Sequence, residues 1–392
     1  MVVDVDVTKL KKLALSLFLV ITSIQSVFAE MMEKGQTKFK LLFNLYHQNS
    51  DDGEQVFDNS KREEANVVEP MLFIEHQITE DTAINAHFVF DFWTAASDTK
   101  LDGLTGASGG EPIKGQSRVS GTVGARKEIG DWAFNGGLGF SSEYDYRSLN
   151  ASLGVERSLA KDNFTIGLGL QYYSDEVRLF EDLTPAGSAT ISEFKPRKIL
   201  AASLTASQIL TRKDIIQFGL TYIQAKDNLE STASSVLVSD IRESEKLPDS
   251  RKRYAASSKW VHGFSDTFAM NLFYRYYFDQ WRLDAHTVRL AFLKEINDDE
   301  DFLEFSIRLH SQDKVRYYQD SFNTSQDFMT SDSDLDKFNS YELSMYLSSN
   351  FEGKKLFGME LDDFTWNNGV TGYKRSNGLI YAYFQSSLGF EF

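Results

Sequence analysis

The sequence predicts an all-β fold, a transmembrane antiparallel up-and-down β-barrel of about sixteen strands, with fourteen and eighteen as the neighbouring even counts. Three observations predict it. The closing segment, Leu379 to Phe392, alternates apolar with small or polar side chains and stops on an aromatic. Upstream segments repeat that alternation, and the connections between them are by turns short and longer or more polar. At the other end the chain opens on a three-part secretory signal.

In that signal, Lys9, Lys11 and Lys12 precede an apolar run from Leu13 to Ile24, followed by Val27, Phe28 and Ala29 before Glu30. Cleavage is expected after Ala29, so residues 1–29 read as a signal peptide and residues 30–392 as a single barrel domain of the Gram-negative outer membrane. No later stretch reaches the ~18 uninterrupted apolar residues of a spanning helix, so a bilayer would be crossed by strands. Proline is scarce, at 5 residues, and Phe, Tyr and Trp make up 14%, which suits strands with interfacial aromatic girdles. The chain has 0 cysteines, which excludes disulfides, lipoprotein anchoring, thiolate metal sites and c-type haem. A formal net charge of -16 argues against nucleic acid as a partner.

The short connections are Thr79 to Asp81, Gly130-Asp131, Ala160 to Asn163, Thr211 to Asp214, Ser265-Asp266, Asn297 to Asp301 and a turn near Phe351 to Lys354. Between them lie Asn49 to Ala65, Ala95 to Gln116, Ser142 to Tyr146, Glu176 to Pro196, Lys226 to Lys252, Asp279 to Asp284, Lys314 to Asp336 and Trp366 to Asn377. Short inner turns and longer outer loops are the rhythm of a single-chain barrel.

Period two assigns faces within each strand. Ile84, Ala86, Phe88, Phe90 and Phe92 should meet lipid, with Asn85, His87, Asp91 and Trp93 inward. Likewise Leu303, Phe305, Ile307 and Leu309 oppose Glu304, Ser306, Arg308 and His310. In the closing strand Ile380, Ala382, Phe384, Leu388, Phe390 and Phe392 share the lipid face, and Gln385, Leu388, Phe390 and Phe392 read as an assembly signal for the barrel-assembly machinery. The expected lumen set is mixed in charge: Asp91, Arg126, Arg275, Arg289, Glu304, Arg308, His310 and Glu342, with Lys40, Glu69, Glu156, Lys259 and Glu360. Sixteen strands leave an aqueous channel, where such side chains are hydrated or pair across the wall.

Two runs carry a family likeness: Tyr274, Arg275, Tyr276, Tyr277, Asp279 and Trp281 followed by His286 and Thr287, and Arg308 to Gln312 followed by Tyr317 and Tyr318. They resemble a domain-of-unknown-function family of proteobacterial outer-membrane barrels. The resemblance implies the barrel fold. It also implies association with periplasmic flavin-transferase systems, and with small lipoproteins and periplasmic redox proteins as partners.

Chemistry-bearing clusters are few. Asp279, Asp284 and His286 crowd one outer turn beside Trp281, an arrangement expected to fix the hairpin by hydrogen bonds rather than to hold a metal. Asp332, Asp334 and Asp336 alternate in a Ser-rich loop but lack the Gly and distal Glu of a calcium loop. A second charged stretch, Asp51, Asp52, Glu54 and Asp58 with Lys61 to Glu64, reads as local pairing in a solvated loop. None of His47, His76, His87, His262, His286 and His310 sits in a hydrolase motif, and no dinucleotide fingerprint occurs. No enzymatic activity, metal or cofactor is therefore expected. The function expected is porin-like passage or retention of a small polar solute. The alternatives are a non-conducting outer-membrane scaffold for a flavinylated redox complex and, behind it, a barrel-borne hydrolase using His286 or His310.

Overall fold

The computed structural model describes residues 31–50, 63–97, 116–181, 190–231, 235–297, 301–351, 355–356, 359–360 and 363–392. The signal segment and the charged stretch from Asp51 to Arg62 lie outside these residues. The strands in chain order are β1 (Thr37–Ser50), β2 (Glu63–Thr79), β3 (Thr82–Ser97), β4 (Gln116–Ile129), β5 (Trp132–Ser142), β6 (Tyr146–Leu159), β7 (Phe164–Val177), β8 (Phe180–Glu181), β9 (Thr190–Ile191), β10 (Lys195–Ile209) and β11 (Asp214–Lys226). There follow β12 (Ser235–Val238), β13 (Ile241–Ser244), β14 (Ser250–Ser265), β15 (Phe268–Asp279), β16 (Asp284–Glu295), β17 (Phe302–Gln312), β18 (Phe338–Phe351), β19 (Lys355–Leu356), β20 (Met359–Glu360), β21 (Asp363–Arg375) and β22 (Leu379–Glu391).

Sixteen of these close one antiparallel barrel, as the sequence predicts, in the order β1 to β7, β10, β11, β14 to β18, β21 and β22. The remaining six form three small hairpins, β8 with β9, β12 with β13 and β19 with β20. Closure removes the unpaired edges that neither water nor lipid could satisfy in a membrane. It is made by β22 pairing with β1, Phe390 opposite Phe39 and Phe384 opposite Leu45. The seam ends with the Thr37 amide donating to the Phe392 carbonyl at 2.8 Å and the Phe392 amide donating back at 3.1 Å.

The face assignment follows the pleat. Phe43, Leu45, Ile84, Phe90, Phe92, Leu168, Phe218, Leu220, Phe305, Ile307, Leu309 and Phe384 are exposed on the outside of the wall. Leu138, Leu149 and Leu153 expose 65%, 67% and 68% of their surface. A contiguous apolar belt of this kind is not tolerated on a soluble monomer, so lipid is its solvent. No helix among the described residues is long and apolar enough to span a membrane.

Connection lengths depart from the short and long rhythm at the C-terminal end. Trp366 to Arg375, read from sequence as part of an outer loop, belong to β21, and the loop is reduced to residues 376–378. The Asn367-Asn368-Gly369 run looks like a turn, yet Gly369 lies opposite Tyr346 on β18. A Cβ at Gly369 would collide with the Tyr346 ring, which covers the glycine and reaches on to Gln385 on β22 (2.6 Å). The inner connection after Phe351 is longer than a turn, since β19 and β20 pair there. Glu360 accordingly sits in that hairpin, opposite Lys355, and not in a wall strand facing the lumen. Residues 143–145 and 280–283 make outer connections as tight as the inner turns.

Candidate functional site

Inward-facing residues form rows, because register partners on neighbouring antiparallel strands share a face. One row runs Lys259, Phe273, Arg289, Arg308, Glu342, Tyr373 and Tyr381 from β14 to β22. The adjacent row runs Gly219, Ser257, Arg275, Thr287, His310, Ser340 and Arg375. The second row continues round β11, β10 and β7 through small residues, with Gly219 opposite Thr205 and Thr205 opposite Gly167. One wall of the lumen is thus smooth, and the next carries arginine and tyrosine.

The predicted lumen residues fall into separate pairings. Arg289 is buried against Glu304, with Ser306 Oγ at 3.1 Å from its guanidinium. Arg308 lies 3.4 Å from a Glu342 carboxylate oxygen, which also accepts from Tyr381 at 3.4 Å. Asp91 is buried and ion-paired to Arg118, and Glu69 and Glu143 approach the same guanidinium at 3.7 and 3.9 Å. Arg126 meets Glu128 at 2.8 Å and Glu156 at 3.7 Å. Arg275 differs: it is exposed on the inner face, and its contact is the Tyr277 ring, 5.7 Å from its guanidinium carbon. Among the described residues it has no carboxylate partner.

The family-motif residues build the outer rim. Asp279 Oδ2 accepts from Arg251 and from the Tyr277 hydroxyl (3.0 Å), and Oδ1 from the amides of Trp281 (2.8 Å) and Leu283 (3.0 Å). Trp281, 2% exposed, donates its indole N–H to the Ser250 carbonyl and packs under the Arg251 guanidinium. Asp279 therefore faces inward, whereas Asp284 and His286 lie on the outer face, bonded to the hydroxyls of Tyr276 (2.9 Å) and Tyr274 (2.8 Å). The alternation that separates them prevents convergence on a metal. A second chain of bonds runs from Thr287 to His310 Nδ1 (2.8 Å), from His310 Nε2 to Gln312 (3.2 Å), and from Gln312 to the carbonyls of Asp334 (2.9 Å) and Asp336 (2.7 Å).

Those last carbonyls belong to a cap. Outer loops 227–249 and 313–337 fold together: Val236, Val238, Phe322 and Met329 form one buried cluster, and Leu247, Val315 and Tyr318 join Trp281, Leu283 and Ala285 in another. Ala285 and Gln312 are inward-facing wall residues, so the cap is seated in the barrel mouth and not above it. Inward arginines at two distant strands hold it. Arg197 on β10 donates to the carbonyls of Asn228 and Glu230, and Arg375 on β21 reaches Asp334 at 2.6 Å while lying over the Phe338 ring. Between the loops Glu245 is buried, accepting from Thr330 Oγ1 and from the Ser231 amide (2.8 Å). Burial pushes its carboxyl up to about 8, and burial with the neighbouring Asp334 charge pushes Asp332 up to about 6. The alternating aspartates act singly: Asp332 caps a short 3₁₀ turn at Ser333–Leu335, and Asp334 pairs with Arg375.

Arg118, Arg197, Glu245 and Arg375 are the residues the sequence reading missed. Opposite charges in register would have found Arg118, which faces Asp91 across β3 and β4. The cap contacts of the others join loops far apart in sequence and leave no local signal.

A closed wall with an apolar belt outside, a polar lumen inside and loops seated in its mouth defines a transmembrane β-barrel of the outer-membrane class. The chain belongs to the DUF3570 family, described as a protein of unknown function, whose model matches residues 17–383. No curated protein matches the sequence. Solved structures with similar architecture include a bacterial polysaccharide outer membrane secretin, at 10% identity and TM-score 0.49 over 91% of this chain and 98% of that one. Others are the outer membrane protein opdK from Pseudomonas aeruginosa, at 9% identity and TM-score 0.43 over 91% and 98%, and a Pseudomonas aeruginosa FadL homologue, at 11% and 0.44 over 92% and 90%.

Proposed function

We propose that this barrel lies in the outer membrane of a Gram-negative cell and passes or retains a small polar solute through a lumen whose mouth is narrowed by the folded loops. The carrying observation is the contrast between Arg275, inward-facing, exposed and without a carboxylate partner among the described residues, and the ion-paired arginines around it. An exposed inward arginine needs hydrated space below the cap, and a scaffold that only anchors partners has no use for one. The cap is attached to inward residues from β10 round to β21, which is half of the ring, so it restricts the opening on that side.

Planar-bilayer recording of refolded protein tests the reading. Stable conductance steps are expected, and they should enlarge when residues 231–246 are replaced by a short turn, since that removes the cap hairpin and Glu245. No steps from either protein would remove passage and leave the anchoring role for a periplasmic redox complex, which would then be sought by co-purification in detergent.

A further inference from the structure

The charged groups of the lumen are not evenly distributed around the ring. Lys259, Arg275, Arg289, Arg308 and Arg375 occupy two adjacent rows of β14 to β21, with His310 among them. Among the described residues, the carboxylates ion-paired to arginines of this strip are Glu304 on Arg289, Glu342 on Arg308 and, from the cap, Asp334 on Arg375. Each is committed to one arginine. Across the lumen, β3 lies eight strands from β15 in the ring of sixteen and carries Asp91, next to Glu69 on β2. On that wall Arg118 of β4 is ion-paired to Asp91 and lies 3.7 Å from Glu69, so the cation and the carboxylates there are held together.

We infer that Arg275, supported by Arg308 and the Tyr277 ring, is the binding face for a small carboxylate-bearing anion, the class of solute this lumen selects. The inference rests on the passage reading and names its cargo class. Arg275 is the group best placed to bind it, because the other arginines of the strip have carboxylate partners and Arg275 has none among the described residues. A guanidinium presents a fork that matches a carboxylate with two parallel hydrogen bonds. Tyr277 is held in place by its own bond to Asp279 and flanks the guanidinium, limiting the directions the fork can take. Arg308, at 3.4 Å from Glu342 and partly exposed, adds charge on the strand two positions round and can share a second carboxylate. The selectivity runs against the net charge of -16, so it cannot be a property of the whole chain.

Citrate is a suitable probe, titrated calorimetrically into the refolded barrel in detergent, a measurement that needs no open pore. Wild type should bind citrate, more weakly as salt rises. Arg275→Ala should raise Kd by about tenfold or more, the scale of one charge-assisted hydrogen-bonded contact. Arg275→Lys keeps the charge without the fork, and should fall between them. A heat-modifiability gel confirms that each variant is folded. No citrate binding by wild type, or equal binding by wild type and Arg275→Ala, overturns the inference. Passage stands or falls separately on the conductance steps, so steps without citrate binding would reject the cargo class alone.

Discussion

Thr330 donates its hydroxyl hydrogen to Glu245, joining two outer loops across 85 positions of sequence inside the barrel mouth. The carboxyl is buried and its affinity for a proton is raised, so this contact ties the cap to pH. Glu245 goes from an ordinary 4.5 to about 8 on folding. A carboxyl raised in the folded state contributes stability that is present in full below its unfolded value and is lost as pH climbs through the folded one. The cap should therefore be firmest below about pH 4.5 and loosen progressively toward pH 8. Asp332, raised to about 6, acts in the same direction. Hydrogen exchange of residues 235–247 followed across that window should show rising exchange with pH after correction for the intrinsic rate, and Glu245→Gln should flatten most of the trend. A variant with the wild-type pH response would show that Glu245 does not set it.

At the rim, Asp279→Asn should lower thermal stability. Arg251 and Asp279 are a buried pair, and removing one charge of such a pair costs about 3 kcal/mol because the other is left uncompensated. The outer turn through Trp281 should loosen with it, since Asp279 also accepts that turn's amides. Thermal melts and tryptophan emission would register both effects, and an unchanged melting temperature would contradict the pairing.

Substitution of Phe392 by Ala should act on assembly. Phe392 stacks with Phe39 at 5.6 Å and with Phe390 at 6.2 Å, on both sides of the closing seam. Losing two aromatic contacts should weaken the seam by about 1–2 kcal/mol. The folded fraction on unboiled gels should drop, while citrate affinity of the folded fraction stays as in wild type. Normal folding yield would show the terminal ring to be dispensable.

Gly369→Ala should displace the Tyr346 ring and break its bond to Gln385. Overpacking of this kind costs about 1–3 kcal/mol. Gly369→Ala combined with Tyr346→Ala should recover part of that loss, because the collision is gone. A double variant no better than the single one would place the strain elsewhere.

Much of the wall is legible from alternation alone. Side chains one apart on a strand point to opposite sides, so Phe305, Ile307 and Leu309 had to meet lipid once Glu304, Ser306 and Arg308 faced inward, and the same rule separates Asp279 from His286. The turn residues then set an even strand number, and the terminal aromatic marked the strand that closes on β1. Where local composition competed with pairing, local reading failed: Trp366 to Asn377 reads as a polar outer connection, but the ring of Tyr346 and the register with β18 and β22 hold Asn367, Asn368 and Gly369 in a strand. The cap was not legible at all. Arg197, Glu245, Thr330 and Arg375 come from four separate segments, and their partners are chosen by proximity in space across the barrel mouth. Periodicity, a local property, fixes which way each wall residue points. Which arginine lacks a carboxylate partner among the described residues, here Arg275, depends on contacts between distant segments, and only the folded barrel decides it.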